Sequence, residues 1–401
     1  MRYGSAMACR SLVASLFVLV ACSGDDGGRT SASGTGVDAS TGGTGTGSST
    51  SDGSSDGSTS GSGTSGTTGA TSDATSGGES TSDTSTTGGA GGVPGALCDP
   101  IPLCDAVPPK LGGGVTPTDN NHRGRDMFYV EGDEQWVLAK FADGGVLDDD
   151  LQGETVHMFL LRGCEGEWED LGTAVATNDG DHATVEGVED TGGRIYFKIP
   201  EDKRLAPGRH RVHFIVESDQ STADQYIEVV PKGTPFFVSD VDGTLTTYET
   251  EEFWALLLGD VPAANPFAAQ AMQLLVSKGY RPMYVTARPE ALYKRTREFL
   301  DVHGFPHGLV HTTLTQTGAL GSEATTYKTG ELAMLADKGL VPTYVFGNTE
   351  TDAEAYDNAG ILPLENRIFF QFNDAIFGGR TIQSYGDLLD EFDALPDLCD
   401  P

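Results

Sequence analysis

The most constraining feature of this 401-residue chain is a short apolar run that ends on two carboxylates. Residues 235–239 read Pro-Phe-Phe-Val-Ser, which predicts a buried β-strand, and Asp240 and Asp242 follow directly. Successive strand side chains point to opposite faces, so the two carboxylates are expected to point the same way. Gly243 lets the backbone turn sharply behind them. Because carboxylates held this close need a bound cation or proton between them, the motif predicts a divalent metal site.

Two alternatives apply to the motif taken alone. It loosely fits a calcium loop, with Glu251 at the twelfth position, but that loop needs glycine at its sixth position, where this chain has Leu245. A calcium loop also follows a helix, and the residues ahead of Asp240 have a strand pattern. The second alternative is an acidic surface turn, and it weakens once the later motifs are considered.

Three later segments supply further polar side chains. Residues 281–285 form a second β-prone run that leads into Thr286 and Arg288, and Lys328 lies where a helical pattern begins. A third strand pattern, residues 343–347, is followed by a cluster that contains Asn348, Glu350 and Asp352. Each residue alone has an ordinary role, such as a turn hydroxyl, a solvated lysine or a helix-dipole partner.

Together and in this order, these residues supply what phosphoryl transfer through an aspartyl phosphate requires. Asp240 is the candidate nucleophile, Thr286 and Lys328 are candidate donors to the phosphoryl oxygens, and Asp240 with Asp352 could hold a bridging cation.

The constellation resembles the haloacid dehalogenase (HAD) superfamily. More narrowly, it resembles the lipin-type (LNS) phosphatase domain found in lipins and in the large phosphatidylinositol transfer proteins. The motifs that carry the resemblance are Asp240-Val241-Asp242-Gly243-Thr244, Tyr284-Val285-Thr286-Ala287-Arg288-Pro289, Phe305-Pro306-His307-Gly308, Lys328 and the stretch from Gly347 to Tyr356.

The resemblance implies a role for each residue. Asp240 would attack phosphorus, and Asp242 would protonate the leaving oxygen and later activate water. Thr286 and Lys328 would hold the phosphoryl oxygens. The residues expected beside the substrate are Gly243, Thr244 and Arg288.

The resemblance also implies a Mg²⁺ cofactor. Its ligands would be Asp240, the backbone carbonyl of Asp242 and Asp352, with Asn348 or Glu350 as auxiliary groups. In the transfer-protein branch the paired acids are often degraded and the domain is thought to bind lipid without hydrolysis. Both acids are present here, which favours catalysis.

The expected fold class is α/β, with an HAD-like Rossmann-type parallel sheet over residues 233–401. Helical patterns alternate with the strands at residues 266–278, 290–303, 325–338, 351–360 and 385–394. Residues 246–264 are too few for a large cap, so the site is expected to be open and suited to a lipid phosphate. Arg295 and Arg297 of the second helical pattern could bind a lipid headgroup, but they and Lys294 are expected to form the solvent-exposed face of that helix.

An immunoglobulin-like β-sandwich is expected over residues 93–232. Lipins also pair a sandwich with the phosphatase fold, so the resemblance implies that the two regions pack together as one unit. Strand patterns lie at residues 135–141, 155–161, 193–199, 209–216 and 224–230. His210 and His213 should point to opposite faces of their strand, one buried and one solvated.

The first 22 residues resemble a bacterial lipoprotein signal peptide with a lipobox at Cys22. This implies a lipid anchor in the cell envelope of a Gram-negative bacterium, and Ser23 favours the outer membrane. The alternative is an ordinary secretion signal with a chance cysteine. Residues 23–92 are rich in Gly, Ser and Thr and predict a disordered tether.

The formal net charge of −34 argues against a nucleic-acid partner. Apart from Cys9 and Cys22, the chain has four cysteines, an even number in an oxidising compartment. Pairing Cys98 with Cys399 would join the ends of the folded region and leave Cys104 with Cys164, although other pairings remain open.

The sequence therefore predicts a membrane-tethered, Mg²⁺-dependent phosphomonoester hydrolase that acts on phosphatidate or a related phospholipid. One alternative is a phospholipid-binding or transfer module without turnover. The other is an extracytoplasmic phosphatase of soluble phosphomonoesters.

Overall fold

The computed structural model describes residues 97–112, 120–144, 149–247, 261–374 and 376–399. The expected signal peptide, the lipobox at Cys22 and the tether lie outside the described residues, as does most of the short segment expected in place of a cap. Within the described ranges, every helix is too short or too polar to cross a bilayer.

The first half of the described chain is a β-sandwich, as predicted. One sheet has the order β1-β3-β8, formed by β1 (Arg123–Gly124), β3 (Trp136–Lys140) and β8 (Arg194–Lys198). The other has the order β2-β10-β9-β6-β7, formed by β2 (Met127–Val130), β10 (Thr222–Val230), β9 (Gly208–Val216), β6 (Thr155–Leu161) and β7 (Glu169–Val175). A separate pair joins β4 (Ala142–Asp143) to β5 (Asp149–Asp150).

Strand β2 is buried on both faces. Met127 and Tyr129 lie in the core between the two sandwich sheets, whereas Phe128 and Val130 pack against the domain that follows. A strand buried on both faces has a continuous apolar sequence, and at four residues this one is short enough to escape recognition from its pattern.

The expectation that one of two histidines on β9 is solvated is wrong. Both are buried, at 3% exposure for His210 and 4% for His213. His210 Nδ1 accepts a hydrogen bond from the Gly163 amide at 3.0 Å, and His213 Nδ1 lies 2.9 Å from Asp224 Oδ1. Neighbouring loops and side chains cover the face that was expected to meet water.

The second half is a parallel sheet flanked by helices. Its described strands are β11 (Phe236–Ser239), β12 (Arg281–Val285), β13 (Leu309–His311), β14 (Tyr344–Gly347), β15 (Arg367–Phe370) and β16 (Arg380–Ile382). The helices are α1 (Ala268–Ser277), α2 (Tyr293–Val302), α3 (Ser322–Asp337), α4 (Glu350–Asn358) and α5 (Leu389–Asp393). Each helix overlaps a predicted helical stretch.

The strand order is β13-β12-β11-β14-β15-β16, and adjacent strands are parallel. The chain moves outward in one direction from β11 to β13 and then returns to place β14 on the other side of β11. In sheets of this kind, the crevice at the carboxyl ends of the two central strands is the usual ligand site.

The sheet and the sandwich share one hydrophobic cluster. On one face of the sheet, Phe237, Tyr284 and Phe346 pack with α1, α2 and α5. On the other face, residues of β11, β12, α3 and α4 form a cluster with Phe128 and Val130 of the sandwich. The two halves therefore pack together as a unit.

Two disulfides are present, Cys98–Cys399 and Cys104–Cys164, which confirms the favoured pairing. The first joins residues 301 positions apart.

Candidate active site

Strand β11 delivers Asp240 to the carboxyl edge of the sheet. The Asp240 amide donates to the Phe346 carbonyl of β14 at 3.0 Å, which continues the strand pairing by one residue. The Asp240 side chain is buried, with 4% of its surface exposed. Since a strand and not a helix precedes this aspartate, the calcium-loop alternative is not supported.

Lys328 lies between two carboxylates contributed by different elements. Its ammonium donates to Asp240 Oδ1 at 2.7 Å and to Asp352 Oδ1 at 2.5 Å. Helix α3 carries the lysine and α4 carries Asp352, so three residues that are 88 and 24 positions apart along the chain meet at one point.

Asp352 also caps its own helix. Its Oδ2 accepts hydrogen bonds from the backbone amides of Asn348 and Thr349 at 3.0 and 3.1 Å, and the Asp352 backbone amide donates to Thr349 Oγ1. Gly347 is needed here, because a Cβ at this position would lie 2.4 Å from Asp352 Cβ. Asp352 therefore has two roles: its Oδ2 caps the N-terminus of α4, and its Oδ1 binds Lys328 in the site.

Asp242 contacts a different set of partners. Two nitrogens of Arg288 donate to its carboxylate, Nη2 at 2.7 Å and Nε at 2.9 Å, and the Thr286 hydroxyl donates to it at 2.9 Å. Arg288 is itself held by the Thr296 hydroxyl at 3.0 Å. Asp242 remains 32% exposed, so it is the acid of the pair that meets solvent.

The turn behind the two acids is held by hydrogen bonds. Gly243 has φ +71°, and its amide donates to Thr246 Oγ1 at 2.8 Å. The Thr244 hydroxyl lies 2.9 Å from Asp240 Oδ2 and 2.8 Å from Asn348 Oδ1. This hydroxyl therefore connects the end of β11, which carries Asp240, to the end of β14, which is followed by Asn348.

Two residues that sequence reasoning missed support the same turn. Asn265 Nδ2 donates to the carbonyls of Thr244 and Thr246, each at 2.8 Å, and the Tyr385 hydroxyl donates to the Thr244 carbonyl at 3.0 Å. An asparagine ahead of a proline looks like an ordinary turn residue, and nothing near Tyr385 in the sequence indicates a distant site.

The buried part of the site carries excess negative charge. Burial raises the pKa of Asp240 to about 7; Lys328 opposes this, while the carboxylates of Asp352 and Asp242 add to it. The pKa of Lys328 lies above its ordinary value, since the two carboxylates outweigh its burial. One ammonium cannot neutralise two carboxylates, so the site favours an added cation or a proton.

The donor set is compatible with Mg²⁺, which binds through one or two carboxylates plus other oxygens. The Thr244 hydroxyl lies 2.9 Å from Asp240 Oδ2 and 2.8 Å from Asn348 Oδ1, so the site gathers carboxylate, amide and hydroxyl oxygens. The described residues do not form a cluster of three or more His, Cys, Asp or Glu arranged around a metal. A magnesium ion here would depend on amide, backbone and substrate oxygens as well.

One expectation about nearby basic residues is wrong. Arg297 was expected to face solvent, but it is 16% exposed and forms an ion pair with Asp126 of the sandwich. Lys294 donates to the Asn120 carbonyl at 2.6 Å. This face of α2 packs against the sandwich.

Comparison with known proteins identifies related domains. A family model described as the LNS2 domain of PITM 1-3 matches residues 237–370, and one described as the β-sandwich domain of PITM 1-3 matches residues 120–229. The chain therefore has an LNS2-type domain preceded by a β-sandwich.

Three curated relatives show the extent of the similarity. Protein retinal degeneration B of Drosophila melanogaster is 29% identical over 60% of this chain and 17% of its own length. Human membrane-associated phosphatidylinositol transfer protein 2 is 31% identical over 47% of this chain and 13% of its own length. Mouse membrane-associated phosphatidylinositol transfer protein 3 is 27% identical over 47% of this chain and 18% of its own length. The chain thus spans less than a fifth of each relative. A solved Pnkp1/Rnl/Hen1 complex matches with a TM-score of 0.29 and 14% identity over 32% of this chain and 43% of that one, too low to support an argument.

Proposed function

We propose that this protein is a Mg²⁺-dependent phosphomonoester hydrolase of the HAD type that acts on phosphatidate or a related phospholipid. The observation that carries the proposal is the meeting of Asp240, Lys328 and Asp352 at the carboxyl edge of the sheet, with Asp242 beside them. The human and mouse relatives, whose names describe phosphatidylinositol transfer, support a phospholipid as the ligand class.

In the first step, a carboxylate oxygen of Asp240 attacks phosphorus and forms an acyl phosphate while the bond from phosphorus to the alcohol oxygen breaks. Asp242 gives its proton to that oxygen, and the alcohol leaves. In the second step, water attacks the same phosphorus, Asp242 takes the proton from water, and inorganic phosphate leaves with Asp240 regenerated.

For these steps to occur, the side chains of Arg288 and Lys328 must exchange their present carboxylate partners for the substrate. Arg288 and the Thr286 hydroxyl contact the Asp242 carboxylate, yet the first step needs Asp242 to give a proton to the leaving oxygen. A phosphate group competes well for guanidinium and ammonium donors, so binding of the substrate would draw Arg288 and Lys328 towards the phosphoryl oxygens and free the two acids.

Mg²⁺, when bound, would neutralise charge between the phosphoryl group and the protein. The residues that would hold it are Asp240, Asp352, Asn348 and the Asp242 carbonyl.

We also propose that the protein lies in the cell envelope, held there by a lipid on Cys22. The resemblance of the first 22 residues to a lipoprotein signal supports this placement.

The test is phosphate release by the purified chain in Mg²⁺, measured on phosphatidate vesicles and on soluble phosphomonoesters. We expect release from phosphatidate that stops on chelation and in Asp240→Asn. Faster turnover of soluble esters than of vesicles would favour the soluble-ester alternative.

A second candidate is capture of phosphatidate without turnover, and the contact between Arg288 and Asp242 favours it. Arg288 and Thr286 together contact both oxygens of Asp242, and this arrangement suits binding better than proton donation to a leaving oxygen. Stoichiometric binding to phosphatidate vesicles with no phosphate release would support this candidate.

A further inference from the structure

Arg288 and Lys328, the two basic residues of the site, are each followed along the chain by a buried glutamate. Glu290 comes two residues after Arg288, and Glu331 comes three residues after Lys328; the glutamates are 8% and 4% exposed. Both bind arginines that belong to the β-sandwich.

Glu331 fixes helix α3 to the sandwich. Its Oε1 accepts from Arg125 Nη2 at 2.5 Å, and its Oε2 lies 2.5 Å from His311 Nδ1. Arg125, which lies between β1 and β2, also donates to the Thr312 carbonyl at 2.9 Å. Residues three apart on a helix are neighbours, so this contact is one turn from Lys328.

Glu290 fixes the segment that carries Arg288. It accepts from both terminal nitrogens of Arg194, at 3.1 and 3.0 Å, and lies 3.2 Å from Arg123 Nη2. These two arginines come from β8 and β1, in the same sandwich sheet.

Both glutamates are held in the charged form. Burial alone would raise their pKa values, but the arginines outweigh it and lower the pKa of each glutamate to about 2; His311 also contributes at Glu331. Buried charge pairs of this kind depend strongly on geometry, so they set the position of the elements that carry them.

We infer that Arg123, Arg125 and Arg194 are positioning residues through which the β-sandwich sets the location of Arg288 and Lys328. The consequence for turnover rests on the proposed function. The geometric part does not, because the protection of Lys328 can be measured without a substrate.

The geometric test is acetylation of lysines in the native full chain, followed by peptide mass spectrometry. The variants are Arg125→Met and, in case an unpaired glutamate prevents folding, Arg125→Met with Glu331→Gln. We expect Lys328 to react at least tenfold faster than in the wild type. Lys140, a buried lysine of the sandwich, serves as the reference for global opening and should not change.

The matched control is Arg209→Met. Arg209 also forms a buried pair, with Glu228 at 3.0 Å, and contacts the His307 carbonyl ahead of β13, at the end of the sheet away from the site. We expect Lys328 to stay protected in this variant. Equal protection of Lys328 in the wild type and in both Arg125 variants would overturn the inference.

The turnover test measures kcat for phosphate release in the same variants. We expect kcat to fall at least tenfold in Arg125→Met, to recover partly in Arg125→Lys and to stay near wild type in Arg209→Met. Faster Lys328 labelling with unchanged kcat would overturn the consequence for turnover. A wild-type chain that releases no phosphate defeats the proposed function alone, and the labelling result still decides the positioning role.

Discussion

At the scale of single residues, the sequence identified the polar groups of the site but not how they are paired. Asp240, Lys328 and Asp352 meet, as an aspartyl-phosphate site requires. The contact between Arg288 and Asp242 was not foreseen, because Arg288 was expected to face the substrate and a motif does not show which neighbouring charge occupies a guanidinium.

The raised pKa of Asp240 makes stability depend on pH. The folded-state pKa is about 7 against an ordinary value of 3.8, so between these values the folded chain keeps a proton that the unfolded chain releases. Stability contributed by this residue is therefore fully present below about pH 4 and is lost as the pH rises through 7.

Asp240→Asn removes this charge, so we expect it to raise the free energy of unfolding at pH 8 by roughly 1–3 kcal/mol. At pH 4.5 the gain should be small, since Asp240 is already protonated in the folded wild type. Urea unfolding at the two pH values checks this. Asp393→Asn, at an exposed ion pair, should change stability by less than about 0.5 kcal/mol at either pH. Equal effects of Asp240→Asn at both pH values would contradict the account.

At the scale of elements, strong local patterns were predictive. The strands and helices that carry the site lie where the sequence placed them, because each combines an apolar run with glycine, proline or capping residues at its ends. Strands β13, β15 and β16 were missed because each has only three or four residues, too few to show a periodic pattern.

The turn from β14 into α4 should tolerate no side chain at Gly347. Gly347→Ala would push a Cβ against Asp352, so we expect a loss of about 1–3 kcal/mol in unfolding free energy and at least a tenfold loss of phosphate release. The matched control is Gly330→Ala inside α3, where a Cβ has open space; it should stabilise the chain by about 0.5–1 kcal/mol. Thermal melts compare the two, and a neutral Gly347→Ala would contradict the packing argument.

At the scale of the whole molecule, the sequence predicted a sandwich and a parallel sheet that pack together, but not the contacts that join them. Arg125 and Glu331 are 206 positions apart, and no local pattern connects them. The disulfides were easier to predict. Cys98 and Cys399 flank the folded region, and pairing them leaves Cys104 with Cys164.

Loop length predicts how much each disulfide contributes. The Cys98–Cys399 bridge spans 301 positions and Cys104–Cys164 spans 60. Replacing either pair by serine should cost about 2–5 kcal/mol, with the larger loss for Cys98 and Cys399 because the longer loop restricts the unfolded chain more. Urea unfolding of the two double variants gives the order, and a larger loss for the shorter loop would contradict the chain-entropy explanation.

The central claim is that Asp240 accepts a phosphoryl group from a phospholipid. The most direct measurement mixes the full chain with phosphatidate labelled in its phosphate and Mg²⁺, quenches in acid within milliseconds to seconds, and locates the label by peptide mass spectrometry. The account predicts a labelled peptide that contains Asp240, and none in Asp240→Asn. Intact phosphatidate bound to the chain, with neither labelled peptide nor free phosphate, would contradict it.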